Sequence, residues 1–294
     1  MKVLLIFFLT FFSKIAFSEI ATIHLNSTYS GENLKINANH FTSSAENSSI
    51  AISIHGTRGF KTMEIISVLS DNLLDLNVDT IAPNISYGLD NRKNEFLACD
   101  IKHSHNRNSN VDEIIKWFLF AIEKDYKNVI LIGHSRGGQD VMHAYEKIIE
   151  TYPAESKKIS SIVLLAPLTD NSDEINYNLQ KNNNHTISQL LNKDKDMFIE
   201  TDFLSCANTK VKVSSFLSYY NLSRHEQMIE ILRDIQIKTY IFTASEDVFV
   251  PKTHSKISSI NNDNVTLIQI EGSDHFFRDL FLDEVIEILA DFIE

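Results

Sequence analysis

Glycine and proline are scarce in this chain, 8 and 4 residues of 294. No Pro/Gly/Ser-rich stretch divides it, and no internal repeat is present. A single core is therefore expected rather than two small ones. The scarcity also makes each glycine informative, because those that remain sit where geometry demands them. Positive charge is likewise short: 27 Lys and Arg stand against 39 Asp and Glu, a formal net charge of -12. A chain with no basic stripe has nothing with which to neutralise phosphates, which excludes nucleic acid as a partner. Its acidity instead favours solubility. No apolar run is long enough to span a bilayer comfortably.

The longest such run, Val3 to Phe12, follows Lys2 and precedes Ala16-Phe17-Ser18. A positive start, a short apolar stretch and small residues at a cleavage site predict an export signal over residues 1–18. The mature protein is then 19–294, with no membrane span, in the periplasm or the medium. An uncleaved anchor and a buried first strand are the alternatives. Cys99 and Cys206 are the only cysteines. An even count in an exported protein predicts one disulfide, with two buried free thiols as the alternative.

Alternation with a turn signal near residues 30–33 predicts a hairpin, Ala21 to Ser27 and Leu34 to His40. Short apolar runs at 49–54, 78–83, 128–132, 159–166, 237–244 and 265–271 read as buried strands. Helical patterns lie between several of them. Thr62 is the expected cap of the first, which carries Ile65, Ile66, Leu69 and Leu73 on one face. Asn110 is the expected cap of the second, with Glu113 completing a capping box. Strands alternating with helices predict an α/β fold with a mostly parallel sheet. Ligands in such sheets bind beyond the strand C-termini. Residues 168–235 interrupt the alternation. They are Asn-rich and charged first, then amphipathic and helical from about Ser214.

Gly133-His134-Ser135-Arg136-Gly137 follows an apolar strand and precedes a helix. This G-x-S-x-G pattern sets a serine on a sharp turn, where residues two places to either side must be small. Gly133 and Gly137 meet that need, and Gly138 lets the helix pack closely. Ser135 is the candidate nucleophile, and a serine needs a base. His275, in the loop between the last strand and the closing helix, is the candidate. His134, inside the turn, is expected to pack rather than react. An acid must hold the imidazole in one tautomer. Asp247, after the strand 237–244, is the candidate. Glu246 and Asp170 are its rivals, while Asp274 lies too near His275 in sequence. The backbone amides of Arg136 and Thr57 are the candidate oxyanion donors, the latter in His55-Gly56-Thr57-Arg58-Gly59, where Gly56 permits the turn.

Taken together, His55-Gly56, the Ser135 turn, Asp247 and His275 resemble the α/β-hydrolase superfamily, and more narrowly a set of secreted bacterial serine hydrolases carrying HGT and GHSRGG. The resemblance covers Ser49 to Glu294. It implies an α/β-hydrolase fold with eight strands, no cofactor, no metal, and a cap after the sixth strand, where 168–235 falls. The expected activity is hydrolysis of a carboxylic ester on a small-molecule or lipid-like acyl substrate. Acyl transfer or peptide cleavage on the same triad stays open, as does a non-catalytic scaffold binding envelope lipid or protein. Arg58 and Arg136 flank the site and are expected to pair with acids of the cap, with recognition of an acidic or phosphate-bearing substrate as the alternative. His103 and His105 are expected to be solvent-exposed loop residues. Phe216, Leu217, Tyr219 and Tyr220 either line an acyl pocket or pack the cap.

Overall fold

A computed structural model of the protein describes residues 19–29, 31–43, 47–169, 172–183 and 186–293. The expected export signal, residues 1–18, and Asp170 lie outside the described residues.

The chain opens with β1 (Glu19–Tyr29) and β2 (Glu32–Thr42), an antiparallel hairpin paired along its whole length. It continues as β3 (Ser49–Ile54), α1 (Glu64–Asp75), β4 (Val78–Asn84), α2 (Arg107–Glu123), β5 (Asn128–His134), α3 (Arg136–Thr151) and β6 (Ile159–Leu165). Between β6 and the next core strand lie α4 (Ser172–Asn183), α5 (Ile187–Leu191), β7 (Phe198–Phe203), β8 (Cys206–Lys212), α6 (Val213–Tyr220) and α7 (Met228–Asp234). Then come β9 (Thr239–Ala244), α8 (Thr253–Ile257), β10 (Val265–Ile270) and α9 (Leu280–Ile293).

Eight strands form one sheet in the order β1-β2-β4-β3-β5-β6-β9-β10. Only the β2 pairings are antiparallel; the rest are parallel. This is the α/β-hydrolase fold. Alternate residues of β5 explain why its sequence is apolar throughout. Val129 and Leu131 enter the core under α2 and α3, with Trp117, Phe118 and Ile148. Ile130 and Ile132 enter the core under α1 and α9, with Leu69, Leu73, Val285 and Leu289. A strand covered on both faces has no polar alternation to show. After β3 the chain passes to β4 on one side and returns to β5 on the other. That reversal opens a crevice at the C-terminal ends of β3 and β5, the switch point where such sheets bind ligands.

Several sequence expectations are corrected. The N-cap of α1 is Met63, which makes no side-chain cap bond, rather than Thr62. The second helix begins a turn earlier than expected. Asn106 caps it, its side chain accepting from the Ser109 amide. Asn110 is thus inside the helix, buried and donating to the Tyr219 hydroxyl. Glu113 is also buried and accepts from the Ser86 amide, so no capping box forms there. The segment between β6 and β9 is helical over Val213–Tyr220 and Met228–Asp234, but it also contains the antiparallel β7–β8 hairpin. Cys206, the first residue of β8, is disulfide-bonded to Cys99.

Candidate active site

The crevice is built from four strand ends. Ser135, between β5 and α3, has φ 55 and ψ -120, a conformation that non-glycine residues seldom adopt. The sequence permits it by keeping its neighbours bare. A Cβ on Gly133 would lie 2.5 Å from the Gly137 carbonyl oxygen and from the Gly138 backbone. One on Gly137 would lie 2.4 Å from the Ile54 carbonyl oxygen and 2.5 Å from that of His55. The first glycine closes the turn. The second lets α3 settle directly on the end of β3. The Ser135 amide donates to the Leu165 carbonyl at 2.8 Å, tying the turn to β6. The N-terminus of α3 then points its partial positive charge at the serine.

Asp247 leaves β9 in a tight turn. Its Oδ1 accepts the amides of Phe249 and Val250 at 2.8 and 2.9 Å, and its Oδ2 meets His275 Nδ1 at 2.7 Å. Burial opposes the charge, but the His275 bond and the two amides outweigh it and hold the carboxyl below its usual value. An ionised carboxylate only accepts, so Nδ1 carries the hydrogen, and in the neutral ring the lone pair is then on Nε2. An imidazole held this way can take a proton at Nε2. Of the rival acids, Glu246 is exposed, though its amide donates to the Ser273 carbonyl and so joins the Asp247 and His275 loops. Asp274 pairs with Arg278 at 2.8 Å.

His134 packs, as its place in the turn required. Its Nε2 donates to the His275 carbonyl at 3.0 Å, and burial pushes its pKa down to about 3. A neutral His134 therefore holds the backbone of His275. A Cβ on Gly56 would lie 3.1 Å from both His134 Nδ1 and Ser135 Cβ, which explains the glycine before Thr57.

The His55-to-Gly59 loop is held by the His55 ring and by Arg92, of which the sequence pointed only to His55. His55 Nδ1 donates to the Gly56 carbonyl at 2.9 Å, while its Nε2 accepts from the Ile85 amide at 3.1 Å and from Arg92 at 3.2 Å. Only the neutral Nδ1–H tautomer satisfies all three. Burial, then the Arg92 charge, lowers its pKa to about 3. Arg92 is itself buried and also donates to the carbonyls of Gly59, Ile85 and Glu95. The Thr57 amide, at the lip of the crevice, donates to no group among the described residues.

Ser135, His275, Gly56, Thr57 and Arg136 line one cavity of about 380 Å³, together with Met63, Phe96, Leu168, Ser205, Tyr220, Phe249 and Phe276. Gly133 and Gly138 are backbone supports behind it. Arg58 pairs with no acid among the described residues. It has φ 57 and donates to the Leu97 carbonyl at 2.8 Å and the Cys99 sulfur at 3.0 Å. Arg136 donates to the Thr57 hydroxyl at 3.3 Å and lies over the rings of Tyr219 and Tyr220. Tyr220 reaches the cavity and, like Phe216 and Tyr219, also packs on Phe203; Phe216 and Tyr219 do not line the cavity. His103 and His105 are buried, not exposed. They bond to one another at 3.1 Å, and His105 bonds the Tyr219 hydroxyl at 2.9 Å. Among the described residues no group of three or more His, Cys, Asp or Glu could hold a metal, and no helix is long and apolar enough to cross a membrane.

A family model described as "Protein of unknown function (DUF1749)" matches residues 51–226. No curated protein matches the sequence. Solved structures resemble the fold over nearly its whole length. Est1E from Butyrivibrio proteoclasticus, solved with ferulic acid bound, is 19% identical with a TM-score of 0.65, covering 92% of this chain and 97% of its own. An alpha/beta hydrolase from Penicillium is 14% identical with a TM-score of 0.63, covering 94% and 98%. The esterase domain of a Rhodothermus marinus protein is 12% identical with a TM-score of 0.58, covering 93% and 97%. At such identities the likeness is one of fold.

Proposed function

Since the chain belongs to the family of unknown function matched over 51–226, we propose from the site itself that it is an exported serine hydrolase that cleaves carboxylic esters through an acyl-enzyme. One observation carries the reading. A serine on a strained strand-to-helix turn shares a cavity with an imidazole whose Nδ1 is held by a carboxylate at 2.7 Å. That is a nucleophile, a base and an orienting acid in the order Ser, Asp, His.

In this reaction His275 Nε2 takes the Ser135 proton as Oγ attacks the ester carbonyl carbon. Negative charge develops on the carbonyl oxygen, which the amides of Thr57 and Arg136 stabilise. His275 then passes its proton to the departing alkoxide as the C–O bond breaks, leaving an acyl-serine. Water repeats the sequence: it gives its proton to His275, attacks the acyl carbon, and Ser135 leaves with the proton restored. Asp247 stays ionised and stabilises the imidazolium in both halves.

The segment 168–235 serves as the cap, with Ser205 and Tyr220 reaching the cavity wall. The Cys99–Cys206 disulfide supports export, because such bonds persist in oxidising compartments.

Labelling with a fluorophosphonate, read by intact mass and peptide mapping, tests the proposal. One adduct on Ser135, lost in His275→Ala, is expected. Folded protein that takes no label on Ser135 refutes it.

A further inference from the structure

We propose that the ester substrate carries an aryl or medium-length alkyl group, seated in a second chamber between α1 and the loop after His275. This rests on the hydrolase reading above and names the substrate class for the same site.

The chamber measures about 340 Å³, within the range of small-molecule pockets. Its depth is apolar: Ile65, Phe277 and Leu282 are buried at its walls, and Val68 and Phe60 are partly so. Polar side chains, among them Thr62 and Glu64, are confined to its exposed rim. Met63, Phe96 and Phe276 line both this chamber and the catalytic cavity, so the two spaces adjoin at these residues. That boundary is pliable. Met63 is unbranched and rotates about three bonds, and Phe96 is 54% exposed, held edge-on to Phe60 at 5.3 Å. The chamber is a cleft open to solvent at its rim, and one wall is a loop in which Phe277 and Asp279 have φ 50 and φ 56. Strained backbone of this kind persists where surrounding structure enforces it, commonly at binding sites.

On the opposite flank, beyond Phe249 and Val250, lies a cavity of about 500 Å³ lined by Tyr177 and Pro251 together with Asp173, Glu174, Lys252 and Lys256, in which Lys256 and Glu174 pair at 2.6 Å. That cavity places an ion pair on its wall, whereas the buried walls of the first chamber carry none, so an apolar group gains more from the first. The chemistry of the chamber accepts the apolar group whether it belongs to the acyl or to the alcohol half of the ester.

Two substrate series separate those halves: ethyl esters from acetate to octanoate, and acetates of alcohols from ethyl to octyl, both followed by proton release in a pH-stat. In one series kcat/KM is expected to rise by about fourfold per buried methylene until the chamber is filled. Val68→Trp, which fills it from α1, is expected to lower the long-to-short ratio in that series by at least tenfold; Val68→Phe serves if the tryptophan variant does not fold. Ester turnover with no length dependence in either series, or a ratio unchanged in a folded Val68 variant, overturns the inference and leaves the hydrolase reading standing. No turnover and no fluorophosphonate adduct overturns both.

Discussion

Gly137→Ala strikes at the contact that sets the distance between the nucleophile and the oxyanion loop. The new Cβ would lie 2.4 and 2.5 Å from the carbonyl oxygens of Ile54 and His55. Both are backbone atoms at the end of β3, so no side chain can rotate away. Relieving the contact to about 3.0 Å, still tight for a carbon and an oxygen, moves α3 from β3 by about 0.6 Å. Arg136 opens α3 and Thr57 lies in the loop that leaves β3, so the shift opens the oxyanion site along its working distance. Loss of one such donor costs about 10²- to 10³-fold in kcat, and misplacement of about 1 Å costs a comparable factor. The overpacking itself destabilises by about 1–3 kcal/mol, a Tm fall on the order of 2–4 °C per kcal/mol in a domain of this size. The assay is kcat on a short ester beside a thermal melt followed by the single tryptophan, Trp117, which is fully buried. Gly31→Ala is the control. Gly31 has φ 84 and nothing within 4 Å of an added Cβ, so it adds backbone strain of about 1–2 kcal/mol far from the site. A folded Gly137→Ala protein whose kcat stays within threefold of the parent refutes the reasoning.

Asp247→Asn, which no longer selects the Nδ1–H tautomer of His275, is expected to lower kcat by about 10⁴-fold with little loss of fold; steady-state kinetics on the ester used above checks it. Replacing Cys99 and Cys206 by serine releases a closure of 107 residues and is expected to destabilise by about 2–5 kcal/mol, measured by urea midpoints. Stability should also change with pH in two stages. His55, His105 and His134 have pKa values lowered to about 3 by burial, so from pH 6.5 downward the unfolded chain binds protons that the folded chain refuses, and stability falls. Burial raises Glu113 and Glu146 to about 7 and Asp140 to about 6, so the folded chain binds protons first and gains stability on acidification, until the unfolded carboxylates protonate as well. The two effects oppose each other down to about pH 4.5. Below that the histidines dominate, at on the order of 4 kcal/mol per pH unit. Denaturant midpoints that decline evenly from pH 7 to 3.5 would contradict this.

What could be read from the sequence follows from which physics is local. The Ser135 turn was legible because its steric demand falls on residues two places away, and the strands because burial on both faces leaves unbroken apolar runs. Asp247 and His275 could be named as candidates because each follows such a strand. The misreadings were long-range. His103 and His105 sit among Lys102, Ser104 and Asn106 and so read as exposed, yet Phe203 and Tyr219, a hundred residues on, cover them. Arg92 lay unnoticed in the polar stretch after β4 because its four acceptors and partners come from three separate segments. The β7 strand did carry a signal, alternating Ile199, Thr201 and Phe203 inward, but the charges around it masked the period. Asn106, not Asn110, caps the second helix, and the two offer the same chemistry four residues apart, so local sequence does not separate them.

The disulfide divides the chain into a closed ring and two arms. Residues 99 to 206 form the ring, and it contains Ser135 and most of the segment after β6. Asp247 and His275 lie on the arm beyond it. A protease that cuts the loops around α4 and α5 therefore opens the ring without separating anything: the nucleophile and its partners remain one molecule until the bond is reduced. A cut between Cys206 and β9 does the opposite. It leaves the serine on one polypeptide and the base on another, joined only by non-covalent contacts of the sheet and its flanking helices. The same single nick is thus silent or divisive according to which side of Cys206 it falls, and a gel run with and without reductant tells the two apart.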